Sequence, residues 1–292
     1  METDVQLYQS HFDETQINWE RIAEPQDDQY DTQITLEYAQ RAGYTRRDVG
    51  NCPTFFDGQV AIRPDTTIVF ALDCIPADPS HPNVSKGCDL LRHWSTVYVQ
   101  FQQLVDSVSL FFYTPHSVDL VVGSICGPGG AGFGTIAATI NHHVGFAEAL
   151  VHEMAHHKLQ ALGVHFESAE RLITNPAEQK FPSPIRYDCL RPMTAVLHAQ
   201  YSYTYVSALD IHIINAGTDA ERDRQIAAGS LAWNLPKLEF GLDAIAKYVT
   251  VDGAGAEFMK GFYAWSERIL KDGYSILEKF QIPPQPFEHP LV

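Results

Sequence analysis

One stretch limits the folds open to this chain more than any other: "LVHEMAHHKLQAL", Leu150 to Leu162. Neither proline nor glycine interrupts the run from Phe146 to Leu162, and Gly163 can cap its end, so an α-helix is predicted here. At about 100° per residue, His152 and His156 lie one turn apart on one helical face, where two imidazoles can converge on one ion. Glu153 is adjacent and can reach the same centre, or a water bound to it. The flanking Leu150, Val151, Met154 and Ala155 mark the helix as core. Unpaired polar groups in such surroundings are costly, and a bound metal would offset that cost. His157 points about 100° away from His156 and reads as lying outside the ligand set.

A helix of this kind needs a domain large enough to bury it, and 292 residues with 45% hydrophobic content supply one. "VAIRPD" from Val60 and "TIVFALD" from Thr67 are β-branched runs that predict a hairpin or neighbouring strands. "SVDLVVGSI" and "GFGTIAATI" predict two further strands around a glycine-rich loop. "HWSTVYVQFQQLVDSVSLFF" from His93 is long enough for a helix. Helical patterns dominate after Phe146, including Asp219–Ala232, Leu238–Tyr248 and Ala256–Phe280, and "QIPPQPFEHPLV" reads as extended. The fold expected is α+β: a mostly helical single domain with a small β-sheet beside the metal-binding helix. Residues 1–50, polar with weak helical patterns around Val5–Ala23 and Thr35–Ala42, read as an N-terminal helical extension. Residues 51–292 then form the metal-dependent catalytic domain.

Several function classes are disfavoured. The net charge of −16 repels phosphate backbones, and no basic patch overrides it, so no nucleic-acid partner is expected. "RRD" at Arg46–Asp48 reads as a helix end or turn. No apolar run approaches the ~18 residues of a membrane span, and the N-terminus lacks a signal-peptide pattern, so a cytoplasmic location is expected. Five widely spaced cysteines, without a CxxC pair, suggest free thiols. "GPGGAG", Gly127 to Gly132, fits a dinucleotide-binding pattern literally, but the strand-like "FGTIAATI" follows where a helix is required.

Two ligands leave the chemistry open. The spacing of one zinc-peptidase class demands Gly and His where Leu159 and Leu162 stand, which excludes it. A gluzincin-like zinc metallopeptidase needs a downstream glutamate, and Glu167, Glu170 and Glu178 are available. A second constellation is "PIRYDCLRPMTAVLHAQYSYTYV", Pro184 to Val206. With Pro192 in a first helical turn, Arg191 and His198 share a face, with Tyr205 two turns beyond. The alternation of Tyr201, Tyr203 and Tyr205 also fits a strand.

The segments "DLVVGSICGPGGAGFGTIAATI", "EALVHEMAHHKLQAL" and "SPIRYDCLRPMTAVLHAQYSY" together resemble the HExxH-motif proteins of peptide-modification gene clusters, a family of 2-oxoglutarate- and Fe(II)-dependent peptide β-hydroxylases. The likeness covers roughly residues 119–206. It rests on His152, Glu153, His156, Lys158, Leu159, Arg186, Asp188, Arg191, Pro192, Leu197, His198 and Tyr201. The sequence departs from the family pattern at Ile185, Cys189–Leu190 and Ala199. The resemblance implies iron held by His152, His156 and His198, with positions left for 2-oxoglutarate and O2. It implies Arg191 or Arg186 as the partner of the 2-oxoglutarate carboxylate, since a guanidinium fork matches a carboxylate. The implied reaction hydroxylates an unactivated C–H bond, at the β-carbon, of a peptide or amino-acid-derived substrate in natural-product biosynthesis. Glu153 is the general base in a hydrolase; in an oxygenase it would orient a ligand or touch the metal.

Overall fold

The predicted metal helix, α5 (His143–Ala161), lies at the centre of the architecture, packed against helices on one side and a sheet on the other. The computed structural model describes residues 13–63, 74–114, 123–127, 132–186, 188–217 and 221–291. In these residues the chain is α+β and mostly helical, with a small mixed sheet. Before α5 come α1 (Trp19–Ile22), α2 (Tyr30–Arg41), α3 (Pro82–Leu91) and α4 (Ser95–Leu104). After it come α6 (Met193–Asn215), α7 (Glu221–Tyr248) and α8 (Gly253–Phe280).

The strands are β1 (Thr54–Phe55), β2 (Val60–Ile62), β3 (Cys74–Pro76), β4 (Ser107–Tyr113), β5 (Ser124–Cys126) and β6 (Thr135–Thr139). They lie in the order β1-β2-β4-β6-β5, and β3 pairs with the far end of β4. β2, β4 and β6 run parallel, while β5 pairs antiparallel with β6 at the edge. β6 is buried along its whole length, as expected of a strand flanked by parallel and antiparallel neighbours beneath a helix.

Several local readings change. The run from His93 is not one helix: α4 ends at Leu104, and "SVSLFFY" becomes β4. Asp106 marks the break, buried and accepting the Tyr44 hydroxyl at 2.6 Å and the Arg47 amide at 3.2 Å. The Val60 run pairs with β1 and β4; Thr67–Asp73, the other run of the expected strand pair, lie outside the described residues. The loop residues 128–131 lie outside them too, as do residues 5–12 of the first helical pattern. The Arg46 guanidinium is no solvated helix end: it donates to the carbonyls of Gln59, Gln102 and Gln103. The two C-terminal helical patterns fuse into α7 across Pro236. Proline denies the Ala232 carbonyl its intrahelical donor, and the Gln285 amide of the extended tail takes that place at 2.8 Å.

The described part of the N-terminal segment, from residue 13, packs on the rest of the chain. Trp19, Ile22, Ala23 and Tyr38 belong to the same hydrophobic cluster as α5 and α6. Asp31 of α2 is wholly buried and pairs with Lys158 of α5 at 2.6 Å.

A second buried polar junction joins α5, α6 and α7. Glu148 accepts the Ser230 hydroxyl at 2.9 Å and neighbours Asp210, to whose carboxyl no described N–H or O–H donates. Ser207, one turn before Asp210, is equally buried and has no hydrogen-bond partner among the described residues. Burial pushes both carboxyls above their ordinary values of 4.5 and 3.8, and Glu148 raises Asp210 further. The folded chain therefore holds protons that the unfolded chain releases, so stability falls as pH rises through and above that range. Thermal melts at pH 5 and pH 8 check this. Glu148→Gln is expected to flatten the pH dependence and to melt above the parent protein at pH 8; an unchanged pH profile would refute the assignment.

Candidate metal centre

α6 brings His198 against the face of α5 that carries the HExxH pair. His152 Nε2 and His156 Nε2 face each other at 3.0 Å. The other nitrogen of His156, Nδ1, lies 3.1 Å from His198 Nδ1, and His198 Nε2 donates to the Val164 carbonyl at 2.8 Å. Phe166 stacks on His198 with ring centroids 4.3 Å apart and meets His156 edge-on at 5.0 Å. Tyr203 sits edge-on to His152 at 5.2 Å. Exposure rises along the series, from 0% at His198 and 7% at His156 to a side-chain value of 22% at His152. The centre is closed at its His198 end and opens towards His152.

Burial favours neutral imidazoles here. It lowers His152 and His198 to about 4, and it holds His156 well below its ordinary value with help from His152, His198 and His157. Lone pairs are thus available at neutral pH, the state in which histidine binds metals. Ligands about 2.1 Å from one ion lie about 3 Å apart when they are adjacent in its coordination sphere. His152 Nε2 and His156 Nε2 have that spacing, so the pair fits a divalent ion such as Fe(II) or Zn. Among the described residues, no group of three or more His, Cys, Asp or Glu side chains is arranged to hold one as it stands.

Glu153 is buried beside this pair. Ser124 of β5 donates its hydroxyl to Glu153 Oε1 at 2.6 Å, and that oxygen lies 3.9 Å from His152 Nε2. Burial pushes the Glu153 carboxyl up to about 7, against the opposing hydrogen bonds of Ser124 and Cys126.

The other sequence-predicted residues divide. Arg191 stands just before α6, with a side chain 25% exposed that donates to Glu167 at 3.2 Å. Thr194 bonds the Phe166 carbonyl at 2.9 Å and so ties the start of α6 to the aromatic wall of the site. Arg186 is not brought to the histidines: it forms a two-pronged pair with Asp188 at 2.8 and 2.9 Å, on a surface where both side chains are about 60% exposed. An aspartate two residues away satisfies its fork locally. Glu167 and Glu170 are exposed and pair with Arg191 and His165, and Glu178 is exposed too. His157 donates to the Thr135 carbonyl at 2.7 Å and anchors α5 to β6, outside the ligand set.

Sequence reasoning missed Ser124 and Phe166. A lone hydroxyl at the end of an apolar strand was the available signal for Ser124. Nothing local marks Phe166, whose role comes from its position in space. Among known proteins, no family model matches this chain and no curated protein matches it significantly.

Proposed function

We propose that this chain is a non-haem iron, 2-oxoglutarate-dependent oxygenase that hydroxylates a C–H bond of a peptide or amino-acid-derived substrate. The observation that carries this reading is what packs against the HExxH pair. A histidine and a phenylalanine occupy that position, and none of the glutamates that a gluzincin-like peptidase would recruit is among the groups packed there. A bound ferrous ion with 2-oxoglutarate supplies the oxidising power to place one oxygen atom of O2 in the substrate and the other in succinate, with release of CO2.

The chain's own residues prepare that chemistry. His152 and His156 would hold the ion through their Nε2 atoms. Arg191, whose guanidinium is paired with Glu167, would hold the far carboxylate of 2-oxoglutarate in exchange for that partner. Phe166 and Tyr203 set aromatic carbon against the rings of His156 and His152, which narrows the access of water to the pair. Ser124 fixes the Glu153 carboxyl.

The test is direct. Protein supplied with Fe(II), 2-oxoglutarate and air is expected to form succinate, slowly even without the hydroxylated substrate. Under anaerobic conditions the same mixture is expected to develop a visible charge-transfer band. Zinc retained through purification, together with peptide cleavage that Glu153→Gln abolishes, would establish the peptidase reading instead.

A further inference from the structure

We propose that the junction of α5, α6 and α7 is a separate cation site, in which Glu148, Asp210, Ser207 and Ser230 take a hard, oxygen-seeking ion such as calcium. It shares no ligand with the histidines and does not depend on the iron reading. The two carboxyls come from different helices, Glu148 from α5 and Asp210 from α6, and both are buried, at 5% and 0% exposure. Among the described residues no Lys, Arg or His forms an ion pair with either of them.

Helix geometry brings in the hydroxyls. α6 packs on α5 with Tyr203 edge-on to His152, ring centroids 5.2 Å apart, and with Asp210 beside Glu148. Glu148 and His152 are one turn apart on the same face of α5, and Tyr203 and Asp210 are two turns apart on one face of α6. Ser207 falls between Tyr203 and Asp210 on that face, so its hydroxyl is directed between the helices at the carboxyl pair. The hydroxyl is wholly buried, and no described group bonds it. From the third helix, Ser230 reaches Glu148 Oε1 at 2.9 Å. Ser230 is only partly buried, which leaves the junction an edge towards solvent.

The donor set selects the ion. Two oxygens from each carboxylate and one from each hydroxyl make six in all, and calcium takes about 6–8 oxygen ligands. These are hard donors, unlike the imidazoles and thiolates that favour zinc, copper or iron. A divalent ion cancels both buried negative charges at once, and a buried charge without a partner is strongly destabilising. It also gives Asp210 Oδ1, Asp210 Oδ2 and Ser207 Oγ the partner that each lacks among the described residues. An ion here ties three helices together and fixes the first half of the helix that carries the histidines.

Thermal melts at pH 8 test the site, in calcium chloride, sodium chloride and choline chloride at equal ionic strength. Calcium is expected to raise the melting temperature by about 5 °C once it exceeds its Kd about 100-fold. Titration calorimetry is expected to find one equivalent bound, and Asp210→Asn is expected to abolish both effects. A rise in sodium chloride alone, also lost in Asp210→Asn, would support the site and make its ion monovalent. Equal melting in all three salts, or a calcium response that Asp210→Asn retains, would overturn it. Ser207→Ala provides the test if the Asp210 variant does not fold. In choline chloride it is expected to melt no lower than the unaltered protein, because no described group bonds that hydroxyl. Its calcium affinity is expected to be about tenfold weaker; an unchanged affinity would overturn the site as well.

Discussion

Replacing Lys158 with methionine is expected to cost about 3–5 kcal/mol, the range for removing one partner of a buried ion pair. Lys158 and Asp31 are both wholly buried, with Nζ 2.6 Å from Oδ2. Burial alone would lower the lysine, but the facing Asp31 carboxylate reverses the effect and raises it. Asp31 also accepts from the Gln26 amide and the Gln100 side chain, and Tyr205 bonds both Lys158 and Gln100. Four segments of chain therefore meet at one pair of charges. Without the ammonium, Asp31 remains as an uncompensated buried carboxylate, against a total stability of about 5–15 kcal/mol for a typical domain. Urea unfolding measures the loss. Adding Asp31→Asn, which keeps an acceptor while removing the charge, is expected to recover part of it. A loss below about 1 kcal/mol in Lys158→Met, the level of an exposed pair, would sink the account.

Replacing His156 with alanine is expected to abolish metal retention and to reduce succinate formation to the level of a protein-free control. His156 is the only one of the three histidines in contact with both others. Its removal would delete a ligand of the proposed centre and also the ring nitrogen that lies 3.1 Å from the buried His198 Nδ1. An unpaired buried acceptor costs about 1–3 kcal/mol, so the variant is expected to fold with a lowered melting temperature. His157→Ala is the control. It loses the anchor to the Thr135 carbonyl but no metal-binding nitrogen, and is expected to keep one equivalent of metal. Metal analysis of the two purified variants decides the matter; a full equivalent retained by His156→Ala would refute the centre.

The elements legible in the sequence were those whose cause is local. The uninterrupted run around His152 and His156 forms α5; α6 begins right after Pro192, which caps it in an extended conformation instead of entering its first turn, so Arg191 lies outside the helix and shares no helical face with His198. The alternating tyrosines at 201, 203 and 205 resolve as helix because Tyr201 and Tyr205, one turn apart, pack together with Trp265 of α8. What was not legible depends on partners distant in the chain. No glycine or proline marks the change from α4 to β4; the buried Asp106 does, through Tyr44, 62 residues away. The helical patterns Asp219–Ala232 and Leu238–Tyr248 read as separate because the donor that compensates Pro236, the Gln285 amide, lies in the tail. Arg186 matched a pattern, but its conformation was decided by the carboxylate nearest to it. The direction in which His198 presents its nitrogens depends on the Val164 carbonyl, and no spacing of residue types encodes that.

The ion pair between Asp31 and Lys158 spans 127 residues, and the next bond, to Tyr205, spans 47 more. Closing loops of that size is a slow, entropically expensive event in folding. α5 can coil early from local contacts, but its lysine has no acceptable place to go until α2 and α6 have both arrived. The histidine pair on the same helix is consequently expected to take its final place only after the long-range closure of the chain.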